Sequence, residues 1–248
     1  TSGSTCGVTP VTVSNNTFVN ATSVTITDDG GGSVIPASTS TSPFSFVYTP
    51  VAADLGKIIT ITITTNNPLG QPCSAAISTY SLTVNALPGT PSLSNIVQPD
   101  CINSTGGVTV GGLPATGTWT LTRNPDNFTF TGNGTSTIVS GLNPGIYTFN
   151  VTNSAGCTST NSSQVVINPA PVAPEAPVVG TITQPTCALS TGSVLLSGLP
   201  STGNWTITRS PGNTTTTGTG SSRTISLIPP GTYTFRVTNA SGCTSGPS

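Results

Sequence analysis

Apolar and polar residues alternate along almost the whole chain at a period of two. Val11-Thr12-Val13, Ser23-Val24-Thr25-Ile26-Thr27, Phe44-Ser45-Phe46-Val47-Tyr48, Lys57 to Thr64 and Tyr80 to Val84 all place β-branched or aromatic residues at every second position. That is the pattern of strands with one face buried. Asp28-Asp29-Gly30-Gly31-Gly32 and Asn66-Asn67-Pro68-Leu69-Gly70 interrupt it as turns. Further strands are predicted near 92–97, 107–110, 118–123, 128–139, 146–152 and 164–168, and the set recurs from Val178 onward. No apolar run approaches the roughly 20 residues of a membrane-spanning helix.

The recurrence is a true repeat. Gln98-Pro99-Asp100-Cys101 opens a segment that Gly156-Cys157-Thr158-Ser159 closes; Gln184-Pro185-Thr186-Cys187 and Gly242-Cys243-Thr244-Ser245 do the same further on. Both cysteine pairs are 56 positions apart. Trp119 and Trp205, Arg123 and Arg209, and Pro144-Gly145 to Phe149 and Pro230-Gly231 to Phe235 recur in register. Pro-rich linkers lie at 87–91 and 168–177; prolines there favour an extended, semi-rigid spacer. The expected architecture is all-β: three tandem Ig-like antiparallel β-sandwich modules in a rod, over 1–86, 87–172 and 173–248. The third module stops before a counterpart of 164–168, so it is expected to be completed by following sequence or by a strand from a neighbouring subunit.

Composition sharpens this. Only 4% of residues are charged, there is no His or Met, and the net charge is −1. That argues against nucleic acid as a partner, which needs a basic patch. Without His, and with six scattered acids, no acid–base pair or nucleophile-plus-base arrangement is visible, so an enzyme is not expected. No cofactor is implied. Asp28, Asp29 and Asp54 are the best candidates for calcium, but two adjacent aspartates in a Gly-rich turn read more simply as solvated turn residues. No C-x-x-C pair suggests a zinc site.

Six cysteines, two per module, imply disulfides and an oxidising, extracytoplasmic setting. The two repeat modules should fold identically, and pairing within each module keeps each core independent, so the expected pairs are Cys6–Cys73, Cys101–Cys157 and Cys187–Cys243. Each would close a loop of about 57 residues or more and add roughly 4 kcal/mol in the chain-entropy model. In an up-and-down strand order Cys101 can meet Cys157 only if 128–139 is one long or bulged strand. Trp119 and Trp205, each in phase with an apolar residue two positions on, are expected in the core with Tyr147 and Tyr233. Solvent exposure of the tryptophans would instead make a sugar-binding platform. Arg123 and Arg209 share the strand's inner parity and are expected to lie out over apolar surface.

Two stretches resemble known families. Tyr48-Thr49-Pro50-Val51-Ala52-Ala53-Asp54-Leu55-Gly56-Lys57, followed by Thr/Ile alternation and Asn66-Asn67-Pro68, resembles PKD-like and Ig-like domains of large Bacteroidota surface proteins. Pro144-Gly145-x-Tyr147-Thr148-Phe149-x-Val151-Thr152-Asn153-x-x-Gly156-Cys157, matched again from Pro230 to Cys243, resembles the SprB repeat of gliding adhesins. Asn153 and Asn239 stand where many members of that family carry Asp. The resemblance implies type IX secretion and display at the bacterial cell surface. The expected function is thus a structural or adhesive stalk of a secreted surface protein, with neighbouring repeats as partners and surface polysaccharide as a candidate ligand. The alternatives are a carbohydrate-binding module array of a secreted polysaccharide-degrading enzyme and a strand-exchanged filament subunit.

Overall fold

The computed structural model describes all residues from Thr1 to Ser248. Its first eight strands are β1 (Ser2–Cys6), β2 (Val11–Asn16), β3 (Val24–Asp28), β4 (Ser33–Ile35), β5 (Ser38–Thr39), β6 (Phe44–Thr49), β7 (Ile58–Thr65) and β8 (Ile77–Asn85). They form a five-stranded sheet, β1-β8-β7-β3-β5, and a three-stranded sheet, β2-β6-β4. β1 runs parallel to β8; the other pairings are antiparallel. The period-two pattern explains the core. Val24 and Ile26 of β3, Ile59 and Ile61 of β7, and Leu82 and Val84 of β8 meet Phe44, Phe46 and Tyr48 of β6. The intervening Thr25 and Thr27 face solvent. Three short strands lie outside the sequence reading. β1 reads Ser-Gly-Ser-Thr-Cys, with no apolar alternation to mark it; its pairing with β8 makes it a strand.

The next seven strands are β9 (Ser92–Val97), β10 (Gly106–Gly111), β11 (Trp119–Asn124), β12 (Phe128–Gly132), β13 (Ser136–Leu142), β14 (Gly145–Thr152) and β15 (Val165–Ile167). They form the sheets β13-β10-β9 and β12-β11-β14-β15. The last six are β16 (Val178–Thr183), β17 (Gly192–Ser197), β18 (Trp205–Ser210), β19 (Thr214–Gly218), β20 (Ser222–Ile228) and β21 (Thr234–Thr238). Their sheets, β16-β17-β20 and β19-β18-β21, repeat the first six strands of the preceding set. Registers repeat too: Trp119 pairs with Gly132 and Thr120 with Thr152, as Trp205 pairs with Gly218 and Thr206 with Thr238. The fold is all-β, built of tandem Ig-like antiparallel sandwich modules.

The expected single strand over 128–139 is corrected. β12 pairs with β11, whereas β13 belongs to the β10 sheet. Gly134, at φ 81°, turns the chain between them, and the Leu113 amide holds the far side by donating to the Thr135 carbonyl at 3.1 Å. The apolar phase changes across this turn. Phe128 and Phe130 share one parity, while the buried Val139 has the other, so one unbroken strand would expose one set.

The last sandwich has its own core, with Val194 and Leu196 (β17), Trp205 and Ile207 (β18), Ile225 and Ile228 (β20), and Phe235 and Val237 (β21). After β21, the Ser245 and Ser248 amides donate to the Val237 and Phe235 carbonyls at 2.9 and 2.8 Å. Ser159 and Ser162 do the same on β14. β15 then adds a fourth strand with Val165 and Ile167 buried, whereas the β21 sheet has three strands. A groove of about 180 Å³ lies there, lined by Val179, Val194, Ile228, Tyr233 and Phe235 among others.

By its contacts the chain divides into two compact units. One holds Thr1–Ser94, Thr109–Ile138 and Tyr147–Val165; the other holds Asn95–Val108, Val139–Ile146 and Val166–Ser248.

Candidate functional site

The disulfides overturn the expected pairing. Cys6, at the end of β1, is bonded to Cys157, in the turn after β14, with Cα atoms 5.5 Å apart. Cys101, in the loop after β9, is bonded to Cys243, in the turn after β21, with Cα atoms 5.4 Å apart. Cys73 and Cys187 are free and exposed. The three expected pairs, Cys6–Cys73, Cys101–Cys157 and Cys187–Cys243, are therefore absent.

Strand direction supplies the reason. β16 is antiparallel to β17 and β17 to β20, so β16 and β20 point the same way. β19 and β21 are each antiparallel to β18, and a tight turn reverses the chain between β19 and β20. β21 therefore points opposite to β16. The loop carrying Cys187 and the turn carrying Cys243 lie at opposite ends of the sandwich. Six-residue strands separate them by about 20 Å, beyond the roughly 7 Å that a disulfide spans. Each bond instead joins one strand set to the next, in two interlocking covalent loops.

The closing turns are built alike. Asn153 Oδ1 accepts the Ala155 and Cys157 amides at 3.1 and 3.0 Å, and its Nδ2 donates to the Ala86 carbonyl at 3.2 Å. Asn239 accepts the Ser241 and Cys243 amides and donates to the Val172 carbonyl at 2.9 Å. A carboxylate could accept those amides but could not donate to the linker. Asparagine at both positions makes all three bonds; the sequence shows the residue but not the Ala86 or Val172 carbonyl beside it.

A second feature lies on the β12-β11-β14 face. The Arg123 guanidinium sits 5.1 Å from the Phe128 ring centre, 6.0 Å from Phe130 and 5.5 Å from Tyr147. Its Nε donates to Asp126 Oδ1 at 3.0 Å. That hydrogen bond holds the Arg123 pKa above its ordinary value and the Asp126 carboxyl below its own. Phe128 is 53% exposed. In the third set Arg209 lies 4.9 Å from the Tyr233 ring, but Thr214 and Thr216 replace the two phenylalanines, and Arg209 Nη2 donates to Thr214 Oγ1 at 3.1 Å. Both arginines lie over aromatic faces. The strand pattern led to an expectation of apolar surface beneath each arginine; it did not show that the surface is aromatic or that β12 brings Phe128 and Phe130 beside Arg123.

Trp119 and Trp205 are 3% and 1% exposed. Their Nε1 groups donate to the Gly134 and Gly220 carbonyls, each at 2.8 Å. Neither presents a face to a sugar. Tyr147 and Tyr233 are half-buried beneath the two arginines.

The aspartates considered for calcium serve the first sandwich. Asp54 is 1% exposed. Its Oδ1 accepts the Gly31 amide at 2.8 Å, and its Oδ2 accepts the Tyr48 hydroxyl at 2.9 Å and the Val51 amide at 3.0 Å. Burial pushes the Asp54 pKa up, but the Gly31, Val51 and Tyr48 hydrogen bonds outweigh it and hold the pKa below the ordinary value. Tyr48 answers in the opposite sense: burial, then its bond to Asp54, push it up to about 12. Asp28 accepts the Gly30 amide and Asp29 the Thr60 amide; burial raises the Asp28 pKa. The carboxylates thus pin the 28–32 turn to the strand ends. No three His, Cys, Asp or Glu side chains gather as a metal site.

No protein-family model matches the chain, and no curated protein matches it in sequence. Among solved structures it is similar to the FN1–FN3 domains of chicken CNTN1, at 14% identity and a TM-score of 0.33, over 98% of this chain and 92% of that one.

Proposed function

We propose that this chain is a structural and adhesive stalk segment of a secreted bacterial cell-surface protein. The interlocking disulfides carry the reading. Cys6–Cys157 and Cys101–Cys243 each tie one strand set to the next, as suits an array that must stay aligned under tension. Disulfides persist in oxidising compartments, and no helix is long and apolar enough to cross a membrane. The three expected modules, 1–86, 87–172 and 173–248, are the repeating elements of this stalk. The SprB-like closing motifs at 144–157 and 230–243 support a gliding or adhesin context. An antibody raised against the chain should label intact, unpermeabilised cells of the source organism. Labelling only after permeabilisation would refute the reading.

One observation favours a second reading, an accessory sugar-binding module. The exposed Phe128, with Phe130, Tyr147 and Arg123, forms an aromatic and cationic surface of the kind that stacks on sugar rings. Specific binding on a glycan array, lost in a Phe128→Ala, Phe130→Ala variant that keeps its melting temperature, would establish it. A blank array would leave the stalk reading alone.

A further inference from the structure

We propose that a cleft beside Arg209, in the last strand set, binds the carboxylate and ring of a uronic acid residue, as carried by an acidic polysaccharide. The cleft measures about 230 Å³, and its apolar walls are Ile207, Ile225, Leu227 and Phe235. Arg209 lines it from β18, and Thr214 and Thr216 line it from β19. Arg209 Nε is the one buried side-chain nitrogen or oxygen of the chain without a hydrogen-bond partner. A buried polar group left unpaired is unfavourable, and more so on a cation. The Arg209 fork therefore has a vacant donor at the wall of an open cleft.

The internal repeat shows what satisfies such an arginine. Arg123 stands 86 positions earlier. Its Nε donates to Asp126 Oδ1 at 3.0 Å and its Nη2 donates to Asp126 Oδ2, the two-pronged pairing that suits a guanidinium to a carboxylate. Gly212 takes the place of Asp126 in the last set. Residues 178–248 hold three arginines and neither Asp nor Glu, so no side-chain carboxylate of that set can serve Arg209. Two further replacements open the space. Phe128 pairs with Arg123 and Phe130 with Leu121; at the same registers Thr214 pairs with Arg209 and Thr216 with Ile207. Where one set carries a carboxylate and two rings of its own, the other leaves a cleft edged by two hydroxyls beside an unpaired cation.

The rim carries a third replacement. The register of β17 against β20 shifts between Gly192 and Val194, and β20 bulges at 226–227. In the repeat the corresponding residue is Gly141, at φ 70°; here it is Leu227, at φ 60°. A bulky side chain is rare in that left-handed region, and residues held there cluster at ligand clamps. Leu227 is 74% exposed, so burial of its side chain does not offset the strain; it lines the cleft instead. The occupant follows from these walls. A carboxylate would take the vacant Nε and displace the Thr214 hydroxyl from Nη2. Ring hydroxyls would meet Thr214 and Thr216, and the C–H face of the ring would lie against the aliphatic wall. The cleft is smaller than the roughly 300–1,000 Å³ of drug-sized pockets, which suits one sugar ring. The inference goes beyond the stalk reading and uses a different strand set from the Phe128 surface.

The test titrates the purified chain with trigalacturonate and follows the arginine Nε–H resonances by NMR. The Arg209 signal should shift and saturate, while the Arg123 signal, already paired with Asp126, stays in place. Arg209→Ala should weaken binding at least about tenfold, as loss of a charged hydrogen bond does. Thr214→Phe with Thr216→Phe, the residues that the repeat carries, should keep the melting temperature and block the cleft. An unmoved Arg209 signal would overturn the proposal. So would equal binding of neutral trigalactose, which lacks the carboxylate, or undiminished binding with the two phenylalanines in place. Binding lost instead in the Phe128→Ala, Phe130→Ala variant, with Arg209 unmoved, would assign the sugar to the surface around Arg123 and overturn this site as well. Failure of the cell-labelling test would remove the stalk reading and leave this site standing.

Discussion

Removing one staple by Cys6→Ser with Cys157→Ser should change how far the unfolded chain stretches between its ends, by an amount that depends only on which cysteines are paired. In the intact protein the shortest covalent path runs from Thr1 to Cys6, across to Cys157, back along the chain to Cys101, and across to Cys243 and Ser248. That is about 66 peptide units, or about 230 Å at roughly 3.5 Å each. The double variant keeps only Cys101–Cys243, so its path runs from Thr1 directly to Cys101, crosses, and ends at Ser248. This gives about 105 units, or about 370 Å. Had the cysteines paired within their own strand sets, the same variant would keep only Cys187–Cys243, and its path would reach about 190 units, or about 670 Å. Fully reduced, the chain extends to about 860 Å. Single-molecule pulling from the two termini, with the exposed thiols alkylated beforehand, reads these lengths directly. A fully unfolded length near 670 Å for the double variant would refute the interlocked arrangement and the strand directions that explain it.

Further expectations concern stability. Asp54→Ala strands the Gly31 and Val51 amides and the Tyr48 hydroxyl; at about 1–3 kcal/mol for each buried group left unpaired, it should cost about 3 kcal/mol or more in urea unfolding. The folded pKa of Asp54 is depressed, so its contribution is present above the ordinary carboxylate value of 3.8 and is lost as pH falls through the lower folded value. Tyr48 is raised, so its contribution is full below the ordinary 10.0 and fades as pH rises toward about 12; a flat denaturation midpoint across that alkaline range would contradict the buried Tyr48–Asp54 bond. Trp119→Ala should cost about 3–5 kcal/mol. Gly132→Ala should also destabilise, because a Cβ there would lie 2.6 Å from the Trp119 ring; unchanged melting of either variant would show that the ring does not fill that space. Asn153→Asp should keep the amide contacts of the closing turn but lose the bond to the Ala86 carbonyl, giving faster hydrogen exchange in the 87–91 linker than in wild type.

Much of the fold is legible in the chain because local rules govern it. Alternation in Ile58–Thr65 marks a strand with Ile59 and Ile61 inward, since the side-chain period of a strand is two whatever surrounds it. The 86-residue offset marks duplicate architecture, and Trp119 in phase with Leu121 marks a buried face. β1, β4 and β5 have no such pattern, because pairing with a neighbour rather than burial of a face makes them strands. The sequence also shows two cysteines per repeat, but it does not say which end of a sandwich each occupies. That depends on strand direction and on the crossing of the chain at Gly134 between β12 and β13, where two short runs of opposite phase look in one dimension like one bulged strand. Once β16 and β21 point opposite ways, Cys187 and Cys243 lie a strand's length apart, and bonds can form only with a neighbouring strand set. Disulfide pairing, the packing of Tyr147 under Arg123 and the Asn153 contact to the Ala86 carbonyl all depend on distances between segments separated in sequence. Only the tertiary structure sets those distances.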